Sequence, residues 1–281
     1  MKSTDQLIDD LLTLAFAEDV GDGDHTTLST IPADVKGRQH LLVKEEGILA
    51  GVEIAKKVFE KFDPSLKMTV YINDGAHVKP GDIAFVVEGP VRSLLQTERV
   101  MLNIMQRMSG IATMTARYQE RLAGLKTKVL DTRKTTPGMR ILEKQAVKIG
   151  GGENHRIGLF DMILIKDNHV DFAGGIPQAV ASARKYLAEK GKDLKIEVEV
   201  RNTKEILQAL EAGVDRIMLD NFTPERTKEA VKLINGRAEV ESSGGITLDT
   251  LRQYGECGVD FISVGALTHS VKGLDMSFKH C

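Results

Sequence analysis

A parallel α/β barrel preceded by a mixed α+β unit is the fold class this sequence predicts. Three observations predict it. From Val129 onward, short apolar runs alternate with helical stretches, the strand–helix–strand pattern whose right-handed crossovers build a parallel sheet and can curl it into a barrel. Before about residue 92, apolar residues alternate singly and break at glycines, as strands joined by turns do. The runs of the second half end in charged residues, polar residues or glycine, and a barrel gathers such endings on one face, where its chemistry sits. At 281 residues, with 42% hydrophobic and 28% charged content, the chain has room for one large or two smaller domains and a sizeable core.

In chain order, Asp5–Glu18 carries apolar residues at Leu7, Ile8, Leu11, Leu12, Leu14 and Ala15, a helical stripe. Asp19–Thr27 reads as a loop. It is not a calcium loop, because Thr27 stands where the sixth-position glycine is needed and Ala33 where the closing glutamate is needed. Gln39–Gly51 and Lys67–Glu88 read as strands, with a turn at Val78–Asp82, and Val52–Phe62 as a helix between them. Ser93–Arg107 is a helix that Ser109–Gly110 should loosen before a second helical stretch runs to about Leu122, and the domain junction falls here. The strand-like runs that follow are Val129–Lys134, Met162–Asn168, Ile196–Arg201, Arg216–Asn221, Ala238–Gly245 and Phe261–Leu267. Ile176–Leu187, Thr203–Ala212, Pro224–Ile234 and Leu248–Cys257 are the helices between them. Six strands fall short of the eight of a complete barrel, so either one is hidden around Ile141–Gly150 or the barrel is incomplete.

The strand endings differ in charge. Arg133 and Lys134 follow the first run, and Lys166 emerges from the second. Between them lies GGGENHR, with His155 and Arg156. Arg offers a planar fork and Lys a point charge to carboxylates and phosphates, although a lone Arg–Lys pair is more often a solvated turn. The glycines are not a dinucleotide fingerprint, since His155 occupies the third glycine position, and no phosphate-loop lysine motif occurs. Glu197 and Glu199 share one side of the third run, and Asp220 closes the fourth. Buried acids need cations or a metal, so ion pairs with Arg133, Lys134 or Lys166 compete with a Mg²⁺ site at Glu199 and Asp220. Ser242–Gly245 and Gly265 follow the last two runs, where barrels bind phosphate through backbone N–H groups.

A formal net charge of −2 argues against a bulk nucleic-acid surface. Two cysteines make neither a disulfide framework nor a zinc pattern. The N-terminus lacks the apolar core of a signal peptide, and no apolar run approaches the ~20 residues of a membrane span. The expectation is a soluble, cytoplasmic protein with neither a nucleic acid nor a membrane as partner.

These strand endings, together with Glu18–Thr27 (EDVGDGDHTT), Glu98–Asn103 (ERVMLN), Ser109–Thr113 (SGIAT) and Val264–Val271 (VGALTHSV), resemble the quinolinate phosphoribosyltransferases, the carboxylating nicotinate-nucleotide pyrophosphorylases. The resemblance covers nearly the whole chain. It implies a pentosyltransferase of NAD biosynthesis that converts quinolinate and phosphoribosyl pyrophosphate to nicotinate mononucleotide, pyrophosphate and CO₂. It implies an N-terminal α+β sandwich domain over residues 1–110, with 268–281 returning to it, and an incomplete, about seven-stranded α/β barrel over 111–267. It also implies homodimers, or assemblies of dimers, in which an arginine matching Arg99 completes the site of the other subunit. By motif, Arg133, His155, Arg156 and Lys166 correspond to the quinolinate pocket, and Glu197 and Asn168 are supporting residues of the site as a whole. Lys134, Glu199, Asp220, Ser243, Gly244, Gly245 and Gly265 correspond to the phosphoribosyl pyrophosphate and Mg²⁺ side, with Lys134, Lys166, Glu199 and Asp220 the catalytic set. The alternatives are a related molybdate-transport-associated pyrophosphorylase-like protein, a nicotinate phosphoribosyltransferase that does not decarboxylate, and a non-catalytic phosphate-ligand sensor.

Overall fold

The computed structural model describes residues 2–281. Helix α1 (Thr4–Asp19) begins at a capping box, with the Ser3 hydroxyl accepting from the Gln6 N–H and the Gln6 side chain accepting from the Ser3 N–H. The expected loop after it holds over residues 20–24 and then ends early in α2 (His25–Thr30), because Asp24 accepts from the Thr27 N–H and caps the turn. Strands β1 (Lys36–Val43) and β2 (Gly47–Ile48) precede α3 (Val52–Phe62), which has the predicted bounds. Strands β3 (Lys67–Val70), β4 (His77–Val78) and β5 (Ile83–Pro90) lead into α4 (Val91–Arg121).

Helix α4 is continuous, where Ser109–Gly110 was expected to interrupt it. The reason lies in long-range contacts. The Ser109 hydroxyl donates to the Ala50 carbonyl at 3.0 Å and accepts from the Ala50 N–H at 2.9 Å. A Cβ on Gly110 would run into the Lys272 carbonyl, so glycine here permits close approach of backbone.

Next come β6 (Lys128–Leu130), α5 (Arg140–Ile149), β7 (Ile163–Ile165), α6 (Asp167–Ala173), α7 (Ile176–Lys190), β8 (Ile196–Val200) and α8 (Thr203–Glu211). Strand β9 (Arg216–Asp220), α9 (Pro224–Ile234), β10 (Glu239–Ser243), α10 (Leu251–Gly255), β11 (Phe261–Ser263), α11 (Ala266–His269) and β12 (Met276–His280) complete the chain. The possible strand at Ile141–Gly150 is helix α5, whose Leu142, Ala146 and Val147 are buried at helical spacing.

Contacts divide the chain into two compact units. The first comprises Met1–Ala116, Thr135–Gly151 and Leu267–Cys281, and the second Arg117–Lys134 and Gly152–Ala266. Sequence reasoning assigned all of 111–267 to the barrel, whereas 111–116, 135–151 and Leu267 cluster with the first unit. The first unit is built on an antiparallel sheet of order β12-β1-β5-β3, with β2 and β4 paired separately. The C-terminal strand is stitched to β1 in the register Leu41↔Phe278. Phe59 of α3, Phe85 of β5 and Phe278 of β12 meet with ring centroids 6.0–6.4 Å apart, which packs the helix on the sheet.

The second unit is a six-stranded parallel sheet of order β6-β11-β10-β9-β8-β7. A residual bridge extends it beyond β6, where Leu130 pairs with Glu153 in parallel and the Glu153 N–H donates to the Val129 carbonyl at 2.8 Å. This gives an α/β barrel-like unit short of eight strands. No helix among the described residues is long and apolar enough to cross a membrane.

Candidate active site

Parallel pairing aligns the strand ends of the second unit. Ser243 pairs with Asp220, and Glu199 with Met218, so the ends of β8, β9 and β10 lie side by side. All five residues of β8 are buried, Glu197 and Glu199 included. Lys166 stands at the N-cap of α6 immediately after β7, its backbone N–H held by His169 Nδ1 at 3.0 Å. Its Nζ lies 3.6 Å from Glu199 Oε2. Burial raises the Glu199 carboxyl above its ordinary range, Lys166 opposes that shift, and the Asp220 charge adds to it. Asp220 Oδ2 accepts from the Asn221 side chain at 2.8 Å.

The ion-pair alternative therefore holds for Glu199, but only in part. Its lysine partner is half exposed, and Asp220 is close enough to act on it electrostatically. Two carboxylates from neighbouring strands, one already short of compensating charge, are the donor set that a hard, oxygen-seeking divalent cation fits.

Arg133 and Lys134 are exposed beyond β6, in a turn where the Lys134 N–H donates to Thr132 Oγ1 at 3.0 Å. Arg156 is half-buried, and its guanidinium donates to the Met162 carbonyl at 3.3 Å. Burial depresses its affinity for its proton, and the nearby Arg133 charge adds to the effect, so the two guanidiniums share one neighbourhood. The carboxylates of Glu197 and Asp161 act on Arg156 in the opposite direction.

The glycines after β10 have a structural task. Gly244 and Gly245 have φ values of +102° and +62°, and a Cβ on Gly244 would collide with the Asn221 side chain. The Asn221 N–H donates to the Ser243 carbonyl at 2.9 Å, tying the two strand ends together. Gly265 directly follows β11 and its successor Val264, whose N–H donates to the Leu130 carbonyl at 2.9 Å.

His155 is placed differently from the other pocket candidates. It is buried, with its backbone N–H donating to Asp131 Oδ1 at 2.9 Å. Its Nε2 faces Glu197 at 3.0 Å and Glu241 at 3.4 Å, inside the barrel. Sequence reasoning missed Glu241 and Arg216. Arg216 reaches Glu241 at 3.3 Å and Glu239 at 3.0 Å, and stacks 4.2 Å from the Phe261 ring centroid. The period-two spacing of Glu239 and Glu241 was the available signal. Burial raises the carboxyls of both Glu197 and Glu241.

Arg99 belongs to the first unit, on α4, and is exposed. Asn168 is exposed in the first turn of α6.

A barrel-like unit with cations, carboxylates and glycines at adjoining strand ends defines an α/β-barrel enzyme acting on anionic small molecules. More specifically, the chain belongs to the quinolinate phosphoribosyl transferase family. Residues 24–109 match the N-terminal domain and 111–279 the C-terminal domain of that family. Over 96% of this chain and 76% of the relative, it is 47% identical to the rice protein named nicotinate-nucleotide pyrophosphorylase [carboxylating], chloroplastic. It is 43% identical to the probable nicotinate-nucleotide pyrophosphorylase [carboxylating] of Bacillus subtilis, over 95% and 91% of the two chains. The crystal structure of NadC from Streptococcus pyogenes superposes with a TM-score of 0.93 at 42% identity, covering 100% of this chain and 99% of that one.

Proposed function

We propose that this protein joins quinolinate to phosphoribosyl pyrophosphate, releasing pyrophosphate and CO₂ and forming nicotinate mononucleotide in NAD biosynthesis. The observation that carries this is the pairing of two guanidiniums, Arg133 and Arg156, in one neighbourhood at the barrel rim. Glu197 and Asp161 offset part of the charge at Arg156, and a substrate with two adjacent carboxylates adds anionic partners for both guanidiniums. Family membership and the names of the relatives support the same reading.

In this mechanism Arg133, Arg156 and Lys166 bind the pyridine dicarboxylate and aim its ring nitrogen at the anomeric carbon. Orientation of this kind lowers a bimolecular barrier by roughly 7–11 kcal/mol. Backbone N–H groups at Ser243–Gly245 and Gly265 hold the 5-phosphate, and Lys134 neutralises the departing pyrophosphate. Glu199 and Asp220 would hold Mg²⁺, which when bound stabilises negative charge on the leaving oxygens. The same carboxylates favour the positive charge that develops on the ribose. As the C–N bond forms and the C–O bond to pyrophosphate breaks, the ring nitrogen becomes cationic. The bond to the 2-carboxylate then breaks, its electron pair stays on the ring carbon, CO₂ departs, and a proton replaces it.

The working unit is a homodimer or an assembly of dimers, in which Arg99 of one subunit completes the pocket of the other. The setting is the cytoplasm. Incubation with quinolinate, phosphoribosyl pyrophosphate and Mg²⁺ should yield nicotinate mononucleotide. Turnover of nicotinate with none of quinolinate would overturn the proposal.

A further inference from the structure

Within the second unit, a buried cluster surrounds His155, and the proposed reaction gives its two glutamates no chemical step. Glu197 of β8 and Glu241 of β10 are fully buried, and each has one carboxylate oxygen, Oε1, without a hydrogen-bond partner. Their other oxygens converge on His155 Nε2, at 3.0 Å and 3.4 Å. The Nε2 and the carboxylate oxygens all lie within 4.8 Å of one another, the spacing of a metal site.

The imidazole itself argues against a metal. Its Nδ1 accepts a hydrogen bond from the Arg156 backbone N–H at 2.7 Å, so its lone pair is used and the ring proton must sit on Nε2. A protonated Nε2 donates to carboxylates and cannot ligate a cation. The Arg216 guanidinium, 3.3 Å from Glu241, already supplies positive charge from the next strand. Asp131 contributes from the β6 side by accepting the His155 N–H, and Glu239 holds the far end of Arg216. Each donor of the cluster thus points at an acceptor, and together they fix one tautomer and one ring orientation.

That orientation matters because of what Nδ1 holds. Arg156 follows His155 directly, and its guanidinium stands in the same neighbourhood as that of Arg133. We propose that Glu197 and Glu241 are positioning residues that act through His155. They hold the imidazole as its Nε2–H tautomer, so that Nδ1 anchors the Arg156 backbone and sets its guanidinium for the pyridine dicarboxylate, a role that rests on the proposed function. A side chain locked from below in this way loses little freedom when substrate binds.

Two measurements test this. Nitrogen-15 NMR of histidine-labelled protein without substrate, with the His155 signal assigned by its loss in His155→Gln, should show a single Nε2–H tautomer at neutral pH. An Nδ1–H form or a tautomer mixture in the wild-type protein would overturn the relay without any variant having to fold. The double variant Glu197→Leu/Glu241→Leu should fold, since apolar replacement of buried ionic groups is often neutral or stabilising. Without the acceptors for Nε2–H, its KM for quinolinate should rise about tenfold or more, while kcat and the KM for phosphoribosyl pyrophosphate change less than about threefold. Glu197→Gln/Glu241→Gln, which restores an acceptor, should recover most of that loss. An unchanged quinolinate KM in the folded leucine variant, an equal loss for both substrates, or no recovery with glutamine would overturn the proposal. Wild-type protein inert towards quinolinate would defeat the proposed function instead, leaving the tautomer measurement to judge the relay.

Discussion

Arg133 illustrates how residue identity sets chemistry here. It is exposed beyond β6, yet its charge is felt at the half-buried Arg156, and in the proposed reaction both face the pyridine dicarboxylate. A charged hydrogen bond of this kind contributes about 1.5–3 kcal/mol. Arg133→Ala and Lys134→Ala should therefore each lower kcat/KM roughly 10- to 100-fold, with no loss in thermal midpoint, since both side chains lie on the surface. Near-normal kinetics in a folded Arg133→Ala variant would remove it from the pocket. Lys166 and Asp220 were legible in sequence because each ends an apolar run, and Glu199 because it shares one side of an alternating strand with Glu197; the Lys166–Glu199 approach of 3.6 Å follows from β7 and β8 being neighbours. The direction of the His155 side chain was not legible. It depends on Glu241, 86 positions away in the chain by subtraction of their numbers, and on a tautomer that only the fold selects.

At the scale of elements, β10 carries a buried acid that links stability to pH. Burial, and then the charge of Glu197, push the Glu241 carboxyl from an ordinary 4.5 up to about 8, against the opposing influence of His155, Ser263 and Arg216. In this window the folded state keeps a proton that the unfolded chain has released. Its contribution is thus fully present below about pH 4.5 and is lost as pH rises towards about 8. Urea midpoints measured across that range should fall with pH in the wild-type protein and fall less in Glu241→Gln. Parallel pH dependences would contradict the assignment. Helix α4 supplies a second case. Helix propensity alone favours Gly110→Ala by about 1 kcal/mol. Collision of the new Cβ with the Lys272 carbonyl reverses the sign, and overpacking of this kind costs about 1–3 kcal/mol. A lower denaturation midpoint in Gly110→Ala is expected, and a higher one would show that the backbone yields there. The same contact explains why the sequence misled at Ser109–Gly110. A glycine read locally is a breaker, and its partner lies 162 positions later, by the difference between 272 and 110.

At the scale of the whole molecule, alternation of strands and helices made the barrel legible, and the sheet has six strands with a single residual bridge at Glu153. The partition into units was less legible, because α5 has an ordinary amphipathic pattern that does not say which unit it joins. Arg99 is an exposed helical residue whose proposed role lies in another subunit. Mixing inactive Arg99→Ala with inactive Lys166→Ala subunits should restore partial activity, since some mixed sites then carry both wild-type residues. No recovery after verified subunit exchange would place Arg99 outside the catalytic machinery.

The central claim is that the cationic rim takes a pyridine dicarboxylate and that ribosylation of its nitrogen drives loss of the adjacent carboxylate. Quinolinate labelled with carbon-13 in its 2-carboxylate tests this most directly. Labelled CO₂ should be released one-for-one with nicotinate mononucleotide, and only when phosphoribosyl pyrophosphate is present. Ribosylated product that retains the label, or CO₂ released without phosphoribosyl pyrophosphate, would contradict it.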